Sequence, residues 1–294
     1  MGKTIKAIIF GSNGQDGYYL NTLLKQKNIE TICISRSGNA IHGDVSDYSF
    51  VEQQIKEHQP SYVFHFAAKS STQHQALYEN HQTICTGTLN ILESVKLYCA
   101  KAKVFISGSA MQFQNDGKPI DEQTPFDASS PYSVARIQSV YAARYYRAKF
   151  GLQVYVGYFF NHDSPLRTEH HVNQKIVLTI KRIQAGSNEK LEIGNIEVKK
   201  EFSFAGDIVE AVWLLVNQSV VFETIIGSGK AHSIKEWIEY CFKKINKNWQ
   251  EYVVSKDNFK SEYNVLVCNP RLMKSLGWEP KMNFHQLADS MMDN

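Results

Sequence analysis

The chain has 294 residues, 43% of them hydrophobic and 21% charged, with a formal net charge of +3. That length can bury one large core or two unequal ones, and the composition is ordinary for a globular protein. The charge is too small to argue for nucleic acid, and the pairs Lys199–Lys200 and Lys243–Lys244 read as solvated faces. The cysteines (Cys33, Cys85, Cys99, Cys241 and Cys268) number five and contain no C-x-x-C pair. Neither a disulfide framework nor a zinc site is expected, and no other metal; a reducing cytoplasm is. No apolar run is long enough to span a bilayer, so no membrane partner is expected.

In chain order, the first half alternates short apolar runs with longer amphipathic stretches. Ile5–Phe10, Thr31–Ser35, Tyr62–Phe66, Val104–Ser107 and Val154–Tyr158 are predicted strands, rich in β-branched and aromatic residues. Gln75–Cys99 and Pro131–Phe150 are the longest predicted helices. Strand, helix, strand in succession implies an α/β, doubly wound parallel sheet of the Rossmann type. After Asn161 the rhythm loosens; one more strand, Glu223–Gly227, follows a helix at Ala205–Asn217. The expected organisation is a dinucleotide-binding domain over 1–160, with 202–229 returning to it, and a smaller interwoven α/β lobe over 161–294 that binds substrate.

Gly11-Ser12-Asn13-Gly14-Gln15-Asp16-Gly17 follows the first strand and opens a helix predicted over Tyr18–Lys27. A pyrophosphate sits well against such a first helical turn, because free N–H groups and the positive dipole end face it and no β-carbon blocks the approach. The second strand ends in Ser35-Arg36-Ser37, where an NAD-preferring site would carry a carboxylate on the ribose. A guanidinium between two hydroxyls suits a 2′-phosphate, so NADP is the expected cofactor and NAD the alternative. The spacing G-x-x-G-x-x-G resembles the short-chain dehydrogenase/reductase fingerprint. By that resemblance Asp44-Val45 matches an adenine-contacting pair, and Ala67-Ala68, with Lys69 after them, the backbone beside the cofactor.

Further on, Ser109 follows the fourth predicted strand, and Tyr132-Ser133-Val134-Ala135-Arg136 opens the next long helix behind Pro131. Positions i and i+4 share a helix face, so Tyr132 and Arg136 are neighbours. The resembled superfamily uses a Ser or Thr, a Tyr and a Lys four residues after the Tyr. There the cation favours the phenolate and holds the nicotinamide ribose, while the tyrosine takes a proton from a sugar hydroxyl as hydride leaves the same carbon. Ser109, Tyr132 and Arg136 are the matching catalytic set. Arginine for lysine keeps the charge but is longer and planar.

Several segments are similar to the GDP-mannose 4,6-dehydratase family in particular. Gly14-Gln15-Asp16-Gly17 is like its first turn, and Phe160-Asn161-His162-Asp163-Ser164-Pro165 with Arg167 resembles N-H-E-S-P-x-R. His171-Val172-Asn173-Gln174-Lys175-Ile176 resembles F-V-T-R-K-I, and Leu276-Gly277-Trp278-Glu279-Pro280 resembles L-G-W-x-P. The resemblance implies a nucleotide-diphosphate sugar as substrate, GDP-linked before others, with Asn161 and Lys175 on its pyrophosphate or nucleotide, and a homodimer paired through the two long helices.

Three departures bear on chemistry. The family's glutamate, which moves the C5 proton and the C6 hydroxyl, is replaced by Met111, which can do neither. Lys200 stands for a substrate-binding arginine, and Phe259-Lys260 occupy the region of another. The loop after Arg36 is short where the family's insertion helps to build a tetramer. Three activities are therefore open: C4 hydride transfer without elimination, as in a dehydrogenase, keto-reductase or epimerase; a true 4,6-dehydratase; and a catalytically silent NADP(H) sensor.

Overall fold

A computed structural model describes residues 4–256 and 259–293. The first half runs β1 (Lys6–Phe10), α1 (Gln15–Gln26), β2 (Glu30–Ser35), β3 (Ile41–His42), α2 (Tyr48–His58) and β4 (Tyr62–His65), then α3 (Leu77–Asn80), α4 (Gly87–Tyr98), β5 (Lys103–Ser109), α5 (Pro131–Phe150) and β6 (Gln153–Phe159). There follow β7 (His162–Asp163), α6 (Val172–Gln184), β8 (Leu191–Ile193), β9 (Lys199–Glu201), β10 (Ser203–Phe204), α7 (Ala205–Leu215) and β11 (Glu223–Ile226). The chain ends with β12 (Ala231–Ser233), α8 (Ile234–Lys244), β13 (Val253–Ser255), β14 (Val265–Leu266), α9 (Arg271–Ser275) and α10 (Phe284–Asp293).

Seven strands form one sheet in the order β11-β6-β5-β4-β1-β2-β3, and every pairing in it is parallel. The inner strands β1, β4, β5 and β6 are buried on both faces, as a sheet covered by helices on each side requires. In β1, Ile8 and Phe10 join the core under α2, α4 and α5, while Ala7 and Ile9 join the core under α1 and α7. A third core gathers α6, α8 and α10 around the fully buried Trp237. Segment 205–226 belongs to the sheet layer, because α7 packs on α1 and β11 forms the sheet edge beside β6.

The boundaries follow from local chemistry. α5 starts where Ser130 and Ser133 cap each other reciprocally with Pro131 in the first turn, and it stops at Gly151, whose φ of +67° suits glycine. α1 begins at Gln15, inside the glycine-rich turn rather than after it. The single helix expected over Gln75–Cys99 is instead broken. A 3-10 turn at His74–Ala76 and α3 lead into a π-helical turn at His81–Thr86, and only then does α4 begin. A π turn places an extra residue in one helical turn. Here it accompanies a close approach, since a β-carbon on Gly87 would lie 2.8 Å from a Val45 methyl.

Candidate active site

Backbone hydrogen bonds set the path of the glycine-rich turn. Gly11 N–H donates to Ile34 O at 2.9 Å, and Gly14 N–H donates to Gly11 O at 3.1 Å. Gly11 has φ +86°, and a β-carbon there would sit 2.5 Å from Ala67 N. A β-carbon on Gly17 would sit 2.5 Å from both Gly11 O and Ser12 Cα. The turn is therefore pressed against the loop after β4 on one side and against its own first residues on the other. Gly14 differs: its absent β-carbon has only Gly11 O nearby, at 3.5 Å, so this position opens onto free space.

That space is one cleft along the C-terminal ends of the parallel strands, the usual ligand position in such a sheet. An outer cavity of about 240 Å³ is lined by Gly11, Asn13, Gly14, Arg36, Asp44, Val45, Ala67 and Ala68. A middle cavity of about 680 Å³ is lined by the whole turn from Gly14 to Gly17 together with Lys69 and Arg167. An inner cavity of about 480 Å³ is lined by Ser109, Met111, Tyr132, Arg136, Asn161 and Lys200. The outer and middle cavities share Gly11, Asn13, Gly14 and Ala68; the middle and inner share Asp16, Ala68, Arg167 and His171.

In the outer cavity Asn13 donates to Ser37 Oγ at 3.1 Å, tying the turn to the loop after β2. Asp44 accepts from Ser46 N and Oγ at 2.9 and 2.8 Å, which fixes its carboxylate at the rim. Arg36 is half-exposed and pairs with Glu79 at 3.0 Å.

In the inner cavity Ser109 ends β5 and Tyr132 lies in the first turn of α5. The buried Arg136 ties Tyr132 to the sheet. Its Nη2 donates to Tyr132 Oη at 3.1 Å, its Cζ lies 5.0 Å from the Tyr132 ring centroid, and its Nη1 donates to Ser107 Oγ at 2.8 Å and to Ser107 O. The longer side chain thus spans the distance to β5 while keeping its charge on the phenol. Ser109 Oγ accepts from Met111 N at 3.2 Å, so Met111 reaches the cavity as an apolar wall. His65, under this layer, is held neutral by burial and by the Arg136 charge, which bring it down to about 3.

On the far wall the Asn161–Arg167 segment meets the glycine-rich turn. His162 Nε2 pairs with Asp16 Oδ1 at 2.9 Å, Gln15 Nε2 donates to His162 O at 3.2 Å, and Ser164 Oγ donates to Gln15 Oε1 at 2.8 Å. Burial alone would raise the Asp16 carboxyl and lower the His162 imidazole, but the pairing wins: Asp16 falls below and His162 rises above its ordinary value. Asp163 accepts from Arg167 Nε at 3.2 Å and from Asn173 Nδ2 at 2.6 Å. Lys200 is 6% exposed; burial lowers its ammonium, and the Asp163 charge works against that. His171, at the head of α6, is brought to about 4 by burial and by Arg167, and so faces the cleft as a neutral imidazole.

Most residues expected at the site therefore line this cleft; Lys175 does not. It lines none of the three cavities and donates to Glu192 O of β8 at 2.7 Å. Sequence reasoning missed Ser107, Asp163 as a buried anion, His171 and Tyr263. For Ser107 the available signal was its period-two spacing from Ser109, on the strand that carries the serine. Tyr263 lies in a weakly patterned stretch and offers none. Among the described residues no cluster of His, Cys, Asp or Glu is placed to hold a metal ion, and no helix is long and apolar enough to cross a membrane.

Residues 8–291 match the family described as GDP-mannose 4,6 dehydratase. GDP-mannose 4,6 dehydratase 1 of Arabidopsis thaliana is 31% identical, the match covering 98% of this chain and 88% of that protein. The Homo sapiens GDP-mannose 4,6 dehydratase is 26% identical over 97% of this chain and 90% of its own. The fold is similar to RMD from Pseudomonas aeruginosa, solved with NADPH, at TM-score 0.87, 20% identity and coverage of 99% and 98%. It is likewise similar to the Thermus thermophilus UDP-glucose 4-epimerase, solved with NAD, at TM-score 0.85, 19% identity and coverage of 98% of each chain. The chain belongs to the GDP-mannose 4,6 dehydratase family, whose members and structural neighbours are nucleotide-sugar dehydratases and epimerases.

Proposed function

We propose that this chain binds NADP along the cleft and catalyses hydride transfer at C4 of a nucleotide-linked sugar, GDP-linked before others, without elimination. The observation that carries the reading is the Tyr132–Arg136 pair, open to the same cleft that runs without a break to the glycine-rich turn. The dinucleotide fits there: the backbone cradle from Gly11 to Gly17 is bare where a β-carbon on Gly14 would project, and Arg36, Asp44 and Val45 line the far end. Bound so, it supplies the hydride acceptor.

The chain's own residues do the rest. Arg136 stabilises Tyr132 in its phenolate form, and the phenolate takes the proton of the sugar's C4 hydroxyl as hydride leaves the same carbon, giving a neutral phenol and a C4 ketone. Ser109 donates to the same sugar oxygen. Lys200, Arg167 and Asn161 bind the diphosphate, and Asn173 lines the same cavity. Residues 1–160 with 202–229 form the cofactor half and the remainder of 161–294 the substrate half.

Met111 argues against elimination, since a thioether cannot shuttle the C5 proton. The carboxylates that do line the inner cavity are engaged: Asp16 with His162, Asp163 with Arg167 and Asn173, and Glu262 with Thr72. The true 4,6-dehydratase remains the second reading, favoured by the family match and by the neutral His171 imidazole, which could carry a proton. A homodimer is supported by Leu89 and Leu97 on α4 and Tyr141 and Tyr145 on α5, each roughly half-exposed.

Purified protein incubated with GDP-mannose and other nucleotide sugars plus NADP decides between the readings. Hydride transfer alone gives a stoichiometric rise in reduced-nicotinamide absorbance, or, for an epimerase, an isomer of unchanged mass. A dehydratase gives a product lighter by one water with no net absorbance change. A silent sensor gives neither, and its ligand binding survives Tyr132→Phe. Tyr132→Phe should abolish turnover in either enzyme.

A further inference from the structure

The outer end of the cleft holds an arrangement that the hydride-transfer reading does not use. Arg36 follows β2 and lines the outer cavity; Lys69 follows the Ala67-Ala68 backbone and lines the middle one. Both side chains lean on one carboxylate, Glu79 of α3. Arg36 Nη2 donates to Oε1 at 3.0 Å, and Lys69 Nζ lies 3.8 Å from Oε2. Each carboxylate oxygen is thus matched to one cation, while Glu79 itself lines none of the three cavities.

Among the described residues lining the outer cavity, Arg36 is the only cation, and Lys69 joins it through their shared carboxylate. A ribose 2′-hydroxyl needs no cation, whereas a 2′-phosphate carries a charge of about −1.5 to −2 and recruits guanidinium and ammonium groups. An anion entering beside Arg36 must share that residue with Glu79 or displace the pair, and the carboxylate repels it meanwhile.

We propose that Glu79 sets the preference between NADP and NAD, by competing with the 2′-phosphate for Arg36 and Lys69. This rests on the cofactor assignment above and goes beyond it in naming the residue that tunes it. Glu79 is a specificity residue here, acting through the two cations and touching neither the nicotinamide nor the sugar.

The test is dissociation constants for NADPH and NADH, read by nucleotide fluorescence on the full-length wild type and on Glu79→Gln, an isosteric change at a part-exposed side chain. The expected result is tighter NADPH binding by about threefold, the scale of one exposed charge contact, with NADH moved by much less. In an Arg36→Met background the gain from Glu79→Gln should shrink. An unchanged ratio of the two constants, or weaker NADPH binding in Glu79→Gln, overturns the role of Glu79 while leaving the cofactor assignment standing. A folded wild type that binds neither dinucleotide overturns both.

Discussion

Replacing Gly17 with alanine tests the glycine-rich turn with a magnitude set by its geometry. The new β-carbon would lie 2.5 Å from Gly11 O, 2.5 Å from Ser12 Cα and 2.9 Å from Ser12 C, all backbone atoms. Nothing there can swing aside, so the turn must open. Overpacking of this kind costs about 1–3 kcal/mol, offset by about 1 kcal/mol because alanine is the better helix former inside α1. The net destabilisation is therefore modest, at most about 2 kcal/mol. Cofactor affinity should suffer more, because the N–H groups aimed at the pyrophosphate move with the turn. A lost charge-assisted hydrogen bond is worth about 1.5–3 kcal/mol, or roughly ten- to 150-fold in dissociation constant. Gly14→Ala is the control: its β-carbon meets only Gly11 O, at 3.5 Å. It should leave the urea midpoint unchanged while still weakening the dinucleotide, whose approach it obstructs. Unfolding curves and NADPH fluorescence titrations read both effects. A Gly17→Ala protein with wild-type affinity would refute the reasoning, and so would a Gly14→Ala protein that binds normally.

The His162–Asp16 pair should give stability a two-sided pH dependence. His162 is raised above 6.5, so its contribution is complete below that value and fades as pH climbs through the folded value; Asp16 is lowered below 3.8, so its contribution holds above 3.8 and fades as pH falls through the folded value. Urea midpoints measured from about pH 5 to about pH 8 should decline on the alkaline side, and His162→Gln should remove that decline. Lys200→Met should raise the unfolding midpoint, because it removes a buried ammonium whose charged form burial disfavours, yet weaken GDP binding by about tenfold if that ammonium holds the diphosphate. Calorimetry on the same samples reads both. Met111→Glu should confer loss of water on a sugar that the wild type only oxidises or epimerises, and product mass decides it.

Much of this was legible in the sequence because the relevant signals are local. The glycine-rich turn sits between an apolar run and an amphipathic one, and the Tyr132–Arg136 pair needs only helical spacing behind Ser130-Pro131. The parallel sheet followed from alternation along the first half. Long-range burial was not legible. The π-helical turn at His81–Thr86 interrupts a pattern that reads as one continuous helix, and the approach of Gly87 to Val45 that accompanies it spans 42 residues of sequence. The placement of Lys175 outside the cavities was not legible for a similar reason: α6 has a strong apolar stripe, but which polar residue flanks it toward the cleft depends on its long-range packing on α8 and α10. The network joining Gln15 and Asp16 to His162 and Ser164 crosses about half the chain, and each of those residues alone looks like an ordinary polar side chain.

Hydride transfer at C4 requires Tyr132 to meet a sugar hydroxyl beside a dinucleotide laid along the cleft. A crystal structure with NADP and a nucleoside diphosphate sugar measures that directly. The predicted result places Tyr132 Oη within about 3 Å of the sugar's C4 oxygen, with the nicotinamide ring over the same carbon and the pyrophosphate on the first turn of α1. A dinucleotide whose nicotinamide lies outside the inner cavity, or a sugar ring beyond hydrogen-bond reach of Tyr132, would contradict it.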